Sequence, residues 1–145
     1  MLAGSHQADI TITKTLPRKP PANMLWHGDV EKLLDQLPAA PIFDLIVSSP
    51  PYNIGKPYEQ KEDLQDYEAW QNRVLEKLVR RLAPGGSLCW QVGNYVVDNE
   101  ILPLDILFHP IMKRLGLKLR NRIVWTFGHG LHTKRRFSGR YEVVL

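Results

Sequence analysis

Pro50 and Pro51 follow directly on Phe43-Asp44-Leu45-Ile46-Val47-Ser48, a run of strand-forming and largely apolar residues. Proline has a fixed φ and no amide hydrogen, so two in succession stop both a sheet ladder and a helix. The strand must end beside them, and Ser49-Pro50-Pro51-Tyr52-Asn53-Ile54-Gly55 reads as a stiff loop. A strand that is apolar with little alternation is the kind covered on both faces, as in parallel sheets flanked by helices. Open sheets of that class bind ligands at the carboxyl ends of their strands, where this loop falls.

The rest of the chain supplies the partners such a sheet needs. Met24-Leu25-Trp26-His27 reads as a short strand, and Gly28-Asp29 opens a helix that Asp29 can cap, with Val30, Leu33, Leu34 and Leu37 at helical spacing before Pro38 and Pro41. The spacing of Trp70, Val74, Leu75, Leu78 and Leu82 predicts a helix from Asp66 to Ala83 capped by Asp66, with Glu68 early and Arg80 and Arg81 late, as the helix dipole favours. Pro84-Gly85-Gly86 is a turn, and Ser87–Val92 is a further strand that ends at Gly93-Asn94-Tyr95. Another helix is predicted from Pro103 to Leu115, distorted near Pro110, with Gly116 as its left-handed terminus. Leu117 to Thr126 alternates polar and apolar side chains, and strand character resumes from Tyr141 to Leu145. Strand and helix in alternation predict an α/β fold of parallel βαβ units, a sheet with helices on both faces. Residues 1–22, with Leu16-Pro17-Arg18-Lys19-Pro20-Pro21, are expected to form a flexible arm, and residues 23–145 the domain.

Several function classes are removed by what the chain lacks. Cys89 is the only cysteine, which excludes an intramolecular disulfide and a multi-cysteine zinc cage. The longest apolar runs, Ile123-Val124-Trp125 and Val143-Val144-Leu145, fall far short of the roughly 18 residues of a membrane-spanning helix. Met1–Gln7 has neither the cationic start nor the apolar stretch of a secretory signal, so a cytoplasmic location is expected. The net charge of +4 is modest, but it is unevenly placed. From Lys113 to Arg140 there are nine Lys and Arg and no Asp or Glu, a distribution that suits a polyanion.

Ser49-Pro50-Pro51-Tyr52 taken alone is compatible with a plain turn or a polyproline ligand. Preceded by Asp44-Leu45-Ile46-Val47 and by the Gly28-Asp29 unit, it resembles the amino-group DNA methyltransferases, which carry Asp, Asn or Ser before Pro-Pro-Tyr. The resemblance covers residues 24 to 145, in the arrangement where this block precedes the donor-binding block. It implies a Rossmann-like methyltransferase three-layer sandwich with a mostly parallel sheet. It also implies transfer of a methyl group from S-adenosylmethionine to the exocyclic amine of cytosine (N4) or adenine (N6) in double-stranded DNA, with no metal. That amine is conjugated with its ring and is a poor nucleophile. In the implied mechanism the Ser49 side chain and the Pro50 carbonyl accept its two hydrogens, Pro51 stiffens the corner, and Tyr52 stacks on a base flipped from the duplex. Ser in the first position is nearer to the cytosine-amine enzymes, although it alters acceptor strength rather than pocket shape.

The same resemblance places Asp29 near the donor's adenosine, where it can also be a simple helix cap, and Asn53 beside base or donor, where it can equally bond its own backbone. Trp90, Gln91, Gly93 and Asn94 match a strand end bordering the base pocket, with Trp90 better suited to the core. Ile123–Thr126 and Tyr141–Val144 match a hairpin before the target-recognition segment. Its Lys134, Arg135, Arg136 and Arg140, among Trp125, Phe127, Phe137 and Tyr141, suit phosphate contact with stacking. His129 and His132 lack a third ligand at metal-binding spacing. The family's Phe-x-Gly-x-Gly donor loop is not found, since Phe127-Gly128-His129-Gly130 has the wrong spacing and context. With Val143-Val144-Leu145 ending in mid-strand, the expectation is a truncated, incomplete sheet, a fragment with little or no activity alone, and self-association through an exposed sheet edge. Two other readings stay open: a nucleic-acid-binding module without catalysis, and a methyltransferase acting on an RNA base or a protein glutamine.

Overall fold

The computed structural model describes residues 11–13, 23–55, 57, 61–98, 100–128, 137 and 139–145. The chain divides into two compact units, Met1–Ala39 and Ala40–Leu145.

In the first unit, β1 (Thr11–Thr13) pairs in parallel with β2 (Met24–Trp26), and the His27 amide extends the ladder to the Thr13 carbonyl at 2.9 Å. This corrects the expectation of an arm at those three residues: alternating Thr-Ile-Thr has strand propensity, and β2 supplies an edge for it. The other residues of that stretch lie outside the described ones. Helix α1 (Val30–Gln36) begins at Asp29, whose carboxylate accepts from the Lys32 amide at 3.0 Å. The predicted cap is therefore formed.

The second unit is built on β3 (Phe43–Ser48), α2 (Leu64–Val79) and β4 (Leu82–Val92), with β3 and β4 parallel. Helix α2 starts earlier than Asp66, because Asp63 is the cap and accepts from the Gln65 amide at 2.8 Å, leaving Asp66 in the first turn. It also stops short of Ala83. The Arg81 carbonyl receives the Ile42 and Phe43 amides at 2.8 and 2.9 Å, and Leu82 pairs with Phe43, so strand pairing captures residues whose spacing suited a helix. The turn expected at Pro84-Gly85-Gly86 is a bulge within β4, where the register moves from Phe43↔Leu82 to Leu45↔Ser87. Gly85 has φ +80°, and a Cβ on Gly86 would stand 2.9 Å from the Ala83 carbonyl oxygen, so this bulge needs both glycines.

After β4 the chain forms a hairpin absent from the sequence reading, β5 (Asn94–Val97) with β6 (Glu100–Pro103). Asp98, at φ 49°, occupies its tight turn. Helix α3 (Leu104–Arg114) carries Pro110 inside it and closes on Gly116 at φ +88°. The Leu117 amide bonds the Met112 carbonyl and the Gly116 amide the Lys113 carbonyl, both at 3.1 Å, which is the Schellman arrangement. Only Ile123–Thr126 of the alternating stretch is a strand, β7, and it pairs antiparallel with β8 (Tyr141–Val144).

The four-stranded sheet runs β3-β4-β8-β7, parallel at β3/β4 and antiparallel at β4/β8 and β8/β7. Its α/β order is that of a Rossmann-like fold. Helices α2 and α3 pack on each other through the rings of Tyr67 and Phe108, 6.0 Å apart, and through Arg114 donating to Asn72 at 2.8 Å. Leu75, Trp90, Val92, Leu104 and Phe108 form the centre of the core, each at most 1% exposed. Buried Asp105, in the first turn of α3, receives both Nε and a terminal nitrogen of Arg122 at 2.8 and 2.7 Å, which fixes where β7 begins.

Candidate active site

Strand β3 ends with Ser49 exposed and Pro50 buried, so the corner points its serine outward and anchors itself by its first proline. Two further anchors hold the loop. Tyr67 of α2, buried in the core, donates its hydroxyl to the Pro51 carbonyl at 2.7 Å. That carbonyl is thereby distinguished from the Pro50 carbonyl, the one expected to face a target amine. Asn53 is also buried, at φ 60°, and its side-chain amide is joined to Glu62 twice: Nδ2 donates to the Glu62 carbonyl at 2.9 Å and Oδ1 accepts its amide at 2.7 Å. Short polar Asn tolerates the left-handed conformation that such a turn imposes.

Tyr52 is half-buried, and its hydroxyl is the centre of a small polar cluster. Ser49 Oγ lies 3.1 Å from it, and it donates to Glu142 Oε2 at 3.3 Å. Gln91 Nε2 donates to the same carboxylate oxygen at 2.5 Å. The register explains the meeting. Gln91 pairs with Val144 across β4 and β8, so Gln91 and Glu142 rise from one face of that pair, while Trp90, Val92 and Val143 occupy the other. Gly93 is on the Gln91 side, and a Cβ there would come within 3.0 and 3.1 Å of the Tyr52 ring carbons. The ring therefore lies directly over a glycine, and a larger residue there would require the ring to shift.

The cluster presents hydroxyl oxygens at an open strand end beside an aromatic ring, a surface that can accept hydrogen bonds from a planar polar group and cover its face. A cavity of about 590 Å³ lies elsewhere, lined by Gly86, Cys89, Met112, Leu119 and Val144 among others.

Ser49, Pro50, Pro51 and Tyr52 are consecutive in the loop after β3, where the Pro51 carbonyl is bonded to Tyr67 and the Tyr52 hydroxyl to Glu142. Asn53 is corrected: its amide clamps the loop to Glu62 rather than turning outward to a ligand. Asp29 caps α1 in the other unit. Trp90 is core, 1% exposed. Lys134, Arg135 and Arg136 lie outside the described residues, as do His129 and His132. Arg140 is exposed, and its carbonyl accepts the Phe127 amide at 3.0 Å. Trp125, 55% exposed, meets Phe127 edge-on at 6.4 Å. Sequence reasoning missed Tyr67 and Glu142. Glu142 had one visible signal, being the first acid after the long cationic stretch and the only one in its strand.

Residues 43–145 match the DNA methylase family. The chain belongs to that family. It is 45% identical over 124 residues to the type II methyltransferase M.BglII of Bacillus subtilis, covering 85% of this chain and 34% of that protein. It is 34% identical to M.ScaI of Streptomyces caespitosus, covering 84% of this chain and 40% of the relative. The structure is similar to that of a candidate DNA modification methylase of Thermus thermophilus solved in complex with S-adenosyl-L-methionine, with a TM-score of 0.62 and 28% identity over 81% of this chain and 51% of that one. The chain thus spans about a third to two fifths of these two curated relatives and half of the solved methylase.

Proposed function

We propose that the protein containing this chain is a DNA methyltransferase that modifies the exocyclic amine of cytosine (N4) or adenine (N6), taken out of the duplex, with S-adenosylmethionine as methyl donor. One observation carries the reading: Ser49 is exposed at the end of β3 while Pro50, Pro51 and Tyr52 beside it are rigidly held by Tyr67, Glu142 and Gly93. Acceptors fixed in advance hold the two amine hydrogens so that the nitrogen lone pair is released from conjugation and aligned for attack. Ser49 Oγ and the Pro50 carbonyl are those acceptors, and Tyr52 covers the base. A base within the stack is out of reach of such a corner, which is why it must be extruded.

The donor supplies an already activated methyl on its sulfonium. Of the two residues expected to touch it, Asp29 keeps a second carboxylate oxygen beyond the one that caps α1, and fits; Asn53, with its amide on Glu62, does not. Since the chain spans a third to two fifths of its curated relatives, residues 1–145 alone are expected to turn over slowly or not at all. Arg140 with Lys134, Arg135 and Arg136 supplies charge for the DNA backbone.

The test is methyl transfer from labelled donor to duplex DNA by the full reading frame containing residues 1–145. Ser49→Ala and Tyr52→Ala are expected to lower the rate by about 100-fold or more while changing duplex affinity by less than about threefold. Unchanged transfer in both variants overturns the assignment, and a wild-type protein that binds DNA without transfer favours a binding module instead.

A further inference from the structure

We propose that Glu142 is a positioning residue that sets the direction of the hydrogen bond between Ser49 and Tyr52, so that Ser49 meets the target amine with its lone pairs rather than its hydrogen. The inference rests on the reading of Ser49 as an acceptor for that amine, and deepens it.

A serine hydroxyl is both donor and acceptor. An amine about to be methylated offers hydrogens that need acceptors, and its lone pair must stay available to the donor carbon. A hydroxyl that turned its hydrogen toward the nitrogen would bind the lone pair the reaction requires. Serine at this position therefore works only if its hydrogen is directed elsewhere. A carboxylate in the same place would need no such device, because it has only acceptors.

The structure supplies the device. Ser49 Oγ and Tyr52 Oη are 3.1 Å apart, and taken alone either hydroxyl can donate. Tyr52 Oη is also 3.3 Å from Glu142 Oε2, and a carboxylate only accepts, so the single phenolic hydrogen goes to Glu142. The phenol oxygen then has only lone pairs to offer Ser49. The serine hydrogen must point to Tyr52, and the remaining Ser49 lone pairs face outward. Gln91 locks the far end by donating to the same Glu142 oxygen. The proton order is thus Ser49 to Tyr52 to Glu142, drawn from the loop after β3 and from β8, with β4 holding the carboxylate in place.

A tie that merely fastened the loop to β8 would use the same bonds, so the test must separate direction from attachment. In the full reading frame containing residues 1–145, Glu142→Leu is expected to lower kcat for methyl transfer by about 100-fold, with KM for DNA and for donor changed less than about threefold. Placed on Ser49→Asp, whose side chain has no hydrogen to misdirect, Glu142→Leu is expected to change kcat less than about threefold. Equal losses in the wild-type and Ser49→Asp backgrounds mean attachment alone and overturn the proposal. If Ser49→Asp is itself without activity or misfolded, amide hydrogen exchange of the loop after β3 separates the two in Glu142→Leu: a lowered kcat with unchanged loop protection is expected, and a loss of protection that accompanies the loss of kcat means attachment alone and overturns the proposal. A wild-type protein active on DNA with an equally active Glu142→Leu variant refutes this inference alone. A wild-type protein without methyl transfer refutes the functional reading and this inference with it.

Discussion

At the residue scale, the corner depends on contacts that tolerate little change in volume or conformation. Gly93 sits under the Tyr52 ring, and Gly93→Ala places a methyl about 3 Å from two ring carbons, closer than van der Waals contact allows. The ring must tilt, and its hydroxyl leaves Ser49 and Glu142. We expect transfer activity to fall at least tenfold with a stability loss of about 1 kcal/mol, measured by rate and by urea unfolding of the same preparation. Asn53 is the other demanding position, because it combines a left-handed backbone with two bonds to Glu62. Asn53→Gly keeps the backbone and loses the clamp, while Asn53→Ala loses both. The Ala variant should therefore be the less stable by about 1 kcal/mol, and equal stabilities would show that the backbone conformation is not what selects this residue.

At the scale of elements, the loop after β3 is set by α2 as much as by its own prolines. Tyr67 serves two functions, its ring packing on Phe108 and its hydroxyl holding the Pro51 carbonyl. Tyr67→Phe keeps the first and removes the second, at a cost of about 1 kcal/mol in denaturant unfolding, since a part-buried carbonyl loses its partner. The activity loss should exceed what that stability change implies. An enzyme as active as wild type would show that the prolines alone hold the corner. The start of α2 differs from the sequence expectation for a plain reason: Asp63 and Asp66 are both good caps, and the anchoring of the loop through Asn53 and Glu62 brings the helix start to Asp63. Its end differs because Leu82 fits a helical stripe and a strand pair equally well, and β3 is there to pair with it.

At the scale of the whole chain, charge and an open edge dominate. Nine cations between Lys113 and Arg140 with no acid among them predict duplex binding that weakens steeply with salt. Neutralising Lys134, Arg135, Arg136 and Arg140 together should lower the slope of log affinity against log salt by about 3 to 4, measured by fluorescence anisotropy. A slope that stays unchanged would place the phosphate contacts on other residues. Strand β3 is terminal in its sheet among the described residues, and Leu45 and Val47 on one of its faces are 58% and 69% exposed. We expect residues 1–145 to self-associate in sedimentation velocity and Val47→Lys to reduce it. A clean monomer at high concentration would count against that edge as an interface.

What the amino-acid order determined by itself was local and chemical: where strands must stop, which stretch is cationic, and that a serine, two prolines and a tyrosine stand at a strand's carboxyl end. Those features follow from backbone stereochemistry and side-chain type, which need no partner to act. The β5–β6 hairpin was nearly legible, with Asp98-Asn99 linking Val97 to Glu100, but four-residue strands carry too short a period to stand out from a loop. Only the tertiary structure decided what Tyr52 faces and which groups hold it. Glu142 comes to Tyr52 from 90 positions away through the register of β4 and β8, and Tyr67 reaches Pro51 through the packing of α2. Pairings of that kind are selected by how a folded sheet aligns its strands, a choice made by the whole core and recorded in no single segment.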